Sequence, residues 1–213
     1  IYTVVNRIFA SGLAEGSISA LNYANKLMNL PLGVFVAAII TAAFPALAEK
    51  ARLADKSEIT ATVKRGFNMV VLLALPSAVG LTLLDGEIIR FLFERGSFTP
   101  ANTLLTTEAL TTMAPGLFFL AISMLLVRVY FALHDVKTPL LAGIVSVAVN
   151  VAISLLLTGA MGVGGLSLAN TIAAAVNALW LLAGLARRLP LLNDGMIGKV
   201  LLQSCIGSAA MSV

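Results

Sequence analysis

Long apolar runs, each broken by a short polar or glycine-bearing segment, set the pattern of this chain. Whole runs cover about 19–48, 66–84, 103–133, 138–160 and 163–187, and partial ones flank them at about 1–13 and 197–213. A transmembrane helix needs ~20 mostly apolar residues to cross ~30 Å of hydrocarbon. The runs reach that length, and they are too long and too free of alternation for strands. The expected fold is all-α, a polytopic transmembrane helix bundle with five whole spans and two partial ones. The breaks fit this division. Glu15-Gly16-Ser17 is a short turn, and Ala48 to Arg65 is polar enough for a short surface helix. Asp85 to Pro100 interleaves charges with Ile88, Ile89, Phe91, Leu92 and Phe93, as an amphipathic interfacial segment does. His134 to Pro139 is a tight connection, with Pro139 suited to the first turn of the next helix. Gly159, Gly162, Gly164 and Gly165 mark a hairpin turn.

Composition excludes most soluble classes. Hydrophobic residues make up 59% of the 213 positions and charged residues 11%, against ~45–50% and ~25% in soluble domains. Mean hydropathy is +0.99 and the pI is 9.5. The basic residues lie in short segments between apolar runs, which speaks against nucleic-acid binding. Those segments are unequal. Lys50, Arg52, Lys56, Lys64, Arg65, Arg128, Lys137, Arg187, Arg188 and Lys199 fall on one side, Arg90 and Arg95 on the other. The positive-inside rule places the 48–65, 134–138 and 187–199 connections in the cytoplasm. Arg7 and Lys26 remain, inside or beside apolar runs. The single cysteine, Cys205, permits no internal disulfide and reads as a packed thiol. The chain opens on Ile1 and stops within an apolar run at Val213, so it is expected to be an interior piece of a longer protein.

Polar groups within spans cost ~2.5–3.5 kcal/mol per charge on insertion scales, and so tend to border water. Asn22, Asn25, Lys26 and Asn29 follow an i, i+3, i+4, i+7 spacing and form one narrow helical stripe, which Gly33 continues and Pro31 interrupts. A snorkelling Lys26 explains the charge alone. The three asparagines on the same face favour a hydrated, cationic wall. Ser146, Asn150, Ser154 and Thr158 line one later helix, and Ser167, Asn170, Thr171 and Asn177 share a face of the next. Interhelical hydrogen bonding accounts for these two stripes; a cation site of side-chain oxygens is the sharper alternative, without a carboxylate to support it. His134 stands alone at a helix end, and Glu108 suits a helix N-terminus. No nucleophile, metal or phosphate-loop motif occurs. A transporter is expected rather than an enzyme, with no cofactor and no metal site.

The run Gly16-Ser17-Ile18-Ser19-Ala20-Leu21-Asn22-Tyr23-Ala24-Asn25-Lys26-Leu27-Met28-Asn29-Leu30-Pro31-Leu32-Gly33-Val34-Phe35 resembles the MurJ/MviN family of lipid II flippases. Ala74 to Ala78, Leu92 to Thr99 and Ala132 to Pro139 agree with it in the same order. The resemblance implies a fourteen-helix fold with two six-helix lobes around a central cavity, in the bacterial cytoplasmic (inner) membrane. Residues 1–188 would form the second-lobe bundle, helices seven to twelve, and 189–213 a cytoplasmic connection and the start of an additional helix. It implies alternating access for a lipid II or related undecaprenyl-diphosphate-linked sugar, with the missing first lobe and membrane lipids as partners. The substrate-binding residues would be Lys26, Asn22, Asn25 and Asn29. The family usually carries an acidic-basic pair where this chain has Asn25-Lys26, and Lys26 lacks the planar fork of an arginine. The family's sodium site maps onto Asn6, Asn150, Ser154 and Thr171, all neutral, which puts Na+ or membrane-potential coupling in doubt. Rival readings are another oligosaccharide-lipid flippase, a cation-coupled drug exporter, a non-transporting scaffold for cell-wall assembly, and a membrane glycosyltransferase.

Overall fold

The structure is a computed structural model that describes residues 7–52 and 56–189. Asn6, Cys205 and the partial span at 197–213 lie outside those residues. Gly16, at φ 92°, takes a left-handed turn open to a residue without Cβ, and α1 (Ser17–Pro31) starts there. Pro31 has no N–H for the carbonyl four residues back, and the ladder loosens just beyond it. Over Leu32–Val36 the helix widens to a π turn, closed by the Ala37 N–H on the Leu32 carbonyl. It continues as α2 (Ala37–Arg52).

The chain returns as α3 (Lys56–Leu83). The polar stretch expected as a separate surface helix is instead divided between the last turn of α2 and the first turns of α3. Within α3, Gly66 lies against Leu125, which stands 3.4 Å from where a Cβ would be. The short α4 (Asp85–Phe93) is the expected amphipathic segment: Ile89 is fully buried, Phe91 is 85% exposed. Asp85 and Glu87 occupy its first turn, where the helix dipole favours anions. Pro100 opens α5 (Pro100–Ala132) from an extended Thr99.

The last element, α6 (Lys137–Ala186), is 50 residues long but reverses at Gly162, where φ is 55° and ψ −128°. Its arms, 137–161 and 163–186, run antiparallel. Ser146 Oγ donates to the Ala173 carbonyl at 2.7 Å and Asn150 Nδ2 to Asn170 Oδ1 at 3.0 Å. Glu108 of α5 accepts the Gly164 N–H at 3.2 Å, so the helix N-terminus it serves is that of the second arm. Among the described residues, four helical stretches are long and apolar enough to span a membrane. The reversal makes the fourth into two, giving five whole crossings.

At the centre stands α5, packed against α6, α3, α1 and α4. Leu110, Leu117, Leu126 and Val129 are fully buried on it. Small residues let neighbours approach: a Cβ at Gly116 would stand 3.2 Å from the Thr171 Cα. By contrast Leu104, Leu155 and Leu156 are 72%, 66% and 73% exposed, a surface for hydrocarbon rather than water. At the end rich in Lys and Arg, Arg188 pairs with Asp135 at 2.7 Å, and Tyr130 Oη donates to the Leu181 carbonyl at 2.9 Å. Together they tie the α5–α6 connection to the end of the second arm.

Candidate functional site

The polar stripe of α1 borders a cavity of about 370 Å³. Asn22, Asn25 and Asn29 form one wall, and Asn170, Asn177 and Ser123 face them from α6 and α5. Arg7 is the charged side chain in the lining. A smaller adjoining space of about 70 Å³ shares Asn25, Asn29 and Asn170.

Lys26 is not part of this wall. At ~100° per residue, Asn25 and Asn29 lie to one side of Asn22 and Lys26 lies ~40° to the other. That turns Lys26 toward Tyr23, with Nζ 4.9 Å from the ring centroid. Tyr23 in turn packs on Phe93 and Phe98, at 4.7 and 5.1 Å between centroids. A cation over an exposed aromatic face gains ~0.5–1 kcal/mol, enough to hold the long side chain on that side of the stripe.

The hydrogen bonds orient the amides. Asn25 Nδ2 donates to the Leu21 carbonyl at 2.8 Å, which leaves Oδ1 for the cavity. Asn170 Oδ1 is taken by Asn150, while its Nδ2 has no partner among the described residues. Ser123 Oγ and Asn177 Oδ1 are likewise buried without a partner there. Buried polar atoms of this kind are uncommon in folded proteins and cost ~1–3 kcal/mol each unless something meets them.

The residues that the resemblance maps to a cation site do not all converge. Thr171 Oγ1 donates to the Thr112 carbonyl at 2.7 Å and so serves the α5–α6 contact. Asn150 turns to Asn170, and Ser154 Oγ is buried inside the hairpin without a partner among the described residues. Among the described residues no three His, Cys, Asp or Glu side chains gather in a metal-binding group. The sequence pattern did not single out Arg7 or Ser123 for the cavity. An arginine beside a span is by itself a functional signal; a lone serine in an apolar helix gives none.

A family model described as lipid II flippase MurJ matches residues 1–213. A curated relative from Bdellovibrio bacteriovorus, named "Probable lipid II flippase MurJ", is 33% identical over 99% of this chain and 40% of its own length. The chain thus spans about 40% of the curated relatives it matches. A solved structure of lipid II flippase MurJ in an inward closed conformation superposes with a TM-score of 0.86 at 30% identity, over 99% of this chain and 44% of that one. An outward-facing multidrug resistance MATE family transporter shares the fold, with a TM-score of 0.76 at 18% identity, over 99% of this chain and 49% of that one. Neither the site geometry nor the names of these relatives point to an enzyme, and the chain belongs to the MurJ family of lipid II flippases.

Proposed function

We propose that this chain is the second-lobe part of a lipid II flippase, and that its cavity receives the headgroup while the lipid tail stays in the bilayer. The observation that carries this is the cavity itself: a 370 Å³ space that Arg7 and five asparagines border among apolar side chains, set in a bundle whose outer surface is apolar. Among the described residues, its lining holds a cation and no carboxylate. That suits an anionic lipid headgroup better than a protonated drug, and it separates this reading from a cation-coupled exporter. Asn22, Asn25 and Asn29 contact the headgroup, and Lys26, over Tyr23, reaches it only by swinging across the stripe. Transport proceeds by alternating access, with this lobe rocking against its counterpart around the bound headgroup.

The test uses the full-length protein in bacteria depleted of their own flippase, reading lipid II exposed at the outer leaflet. Arg7→Ala is expected to reduce exposure roughly ten- to a hundredfold, as losing a charged hydrogen bond does. Asn25→Leu is expected to reduce it too, and Lys26→Ala to leave most of it. Wild-type exposure with both Arg7→Ala and Asn25→Leu would sink the proposal.

A further inference from the structure

A second space lies on the flank of the bundle, between α1, α3 and α4, and shares no lining residue with the cavity described above. Its volume is about 440 Å³. Leu30 and Pro31 of α1 stand on one side, Pro76 and Gly80 of α3 on the other, and Leu84 and Leu92 at the end that α4 occupies. Gly80 opens it, since nothing lies within 4 Å of where a Cβ would be. Leu30 and Leu84 are 58% and 53% exposed, so the groove faces outward rather than into the core. Among the described residues its lining carries no charge. Ser77, whose hydroxyl lies in the lining, donates to the Leu73 carbonyl at 2.7 Å and is met within its own helix. A polar ligand would find nothing to pair with there, whereas a hydrocarbon chain leaves no group unmet.

Charge stands at one end of this groove. Arg95, exposed just beyond α4, donates from Nη2 to the Leu92 carbonyl at 2.6 Å, which holds its guanidinium at the α4 end. No carboxylate pairs with it among the described residues, since Glu94 faces Arg90 at 3.7 Å and accepts from Thr103. Its other N–H groups are open to a phosphate. From Leu84 to Pro76 the groove descends about 12 Å, most of the ~15 Å of hydrocarbon in a single leaflet. A cation above an apolar slot one leaflet deep matches the outline of a phospholipid. We infer that the groove seats one acyl chain of a phospholipid with net negative charge, from the leaflet on the α4 side, with its phosphate on the Arg95 guanidinium. The site is separate from the cavity of the proposed function and does not depend on what that cavity carries.

The test is native mass spectrometry of the purified full-length protein, stripped of co-purified lipid. It is titrated separately with phosphatidylglycerol, phosphatidylcholine of the same chains, and a polyprenyl phosphate. Wild type is expected to hold one phosphatidylglycerol more tightly than the rest, and more tightly than any phosphatidylcholine. Gly80→Leu fills the groove without a clash and should lose that tight lipid, while Gly143→Leu, at an equally open glycine elsewhere, keeps it. Arg95→Gln should weaken phosphatidylglycerol several-fold, as loss of a charged hydrogen bond does, and leave phosphatidylcholine unchanged. A tight lipid retained in Gly80→Leu would overturn the groove as its seat. Phosphatidylglycerol bound equally well by Arg95→Gln would overturn the phosphate contact, and with it the choice of an anionic lipid. A dimer that Gly80→Leu dissolves, or a polyprenyl phosphate that it displaces in place of phosphatidylglycerol, would give the groove another occupant and overturn the phospholipid.

Discussion

A methyl group added at Gly165 would stand 2.5 Å from the Leu157 carbonyl oxygen of the facing arm, and backbone cannot step aside. Gly165→Ala is therefore expected to cost about 1–3 kcal/mol, read as a lower midpoint in thermal unfolding in detergent. Gly143 has nothing within 4 Å of that position, and Gly143→Ala should hold or raise the midpoint by removing backbone freedom from the unfolded chain. Equal effects at the two sites would contradict the close approach of the arms. The same distinction explains what single positions reveal in a sequence. Asn22, Asn25 and Asn29 were legible as a cavity wall because three amides recur on one helical face. Lys26 sits at the edge of that face, and the side to which it turns depends on Tyr23, whose own position depends on Phe93 and Phe98. Ser123 gives no periodic signal on α5, and only the packing of three helices brings it to the cavity.

The helices themselves were mostly legible, since length and apolar content decide a span. The exception is informative. Polarity between Ala48 and Arg65 marks where a helix leaves hydrocarbon, but polarity does not end a helix, and α3 begins at Lys56 with its charges in place. Ends need a conformational cause, as at Gly162. Its φ of 55° with ψ of −128° lies where a Cβ is strained, although open space surrounds it. Gly162→Ala should cost about 1–3 kcal/mol through the backbone alone, whereas Gly159→Ala, also in open space, should be near neutral. At the opposite end of the hairpin, Asp135 accepts hydrogen bonds from the Thr138 N–H and hydroxyl and pairs with Arg188. These hold its carboxyl down at about 2, against an ordinary 3.8, with the Thr138 backbone bond as the leading cause. A carboxyl depressed in the folded state stabilises above its unfolded pKa and loses that contribution as pH falls toward 2. Wild type should therefore lose more stability than Asp135→Asn between pH 4 and 2. Parallel loss in the two proteins would show that the ion pair does not hold the connection.

For the whole molecule, the ends of the helices sort charge: Lys50, Lys56, Lys137 and Arg188 gather at one end of α2, α3 and α6, which the positive-inside rule predicts to face the cytoplasm, and Arg90 and Arg95 flank the far side. In the full-length protein with its other cysteines removed, Phe91→Cys should react with a membrane-impermeant maleimide in intact cells. Lys137→Cys should react only after permeabilisation. The reverse pattern would invert the orientation and with it the direction of the cavity. The reversal at Gly162 bears on how such a molecule enters the bilayer at all. One residue separates two apolar arms, so there is no soluble loop to carry across the membrane between them. The arms can enter as a preformed pair whose serines and asparagines already face one another. Their orientation is then fixed from one end only, by the cations at Lys137, Arg187 and Arg188 that stay behind.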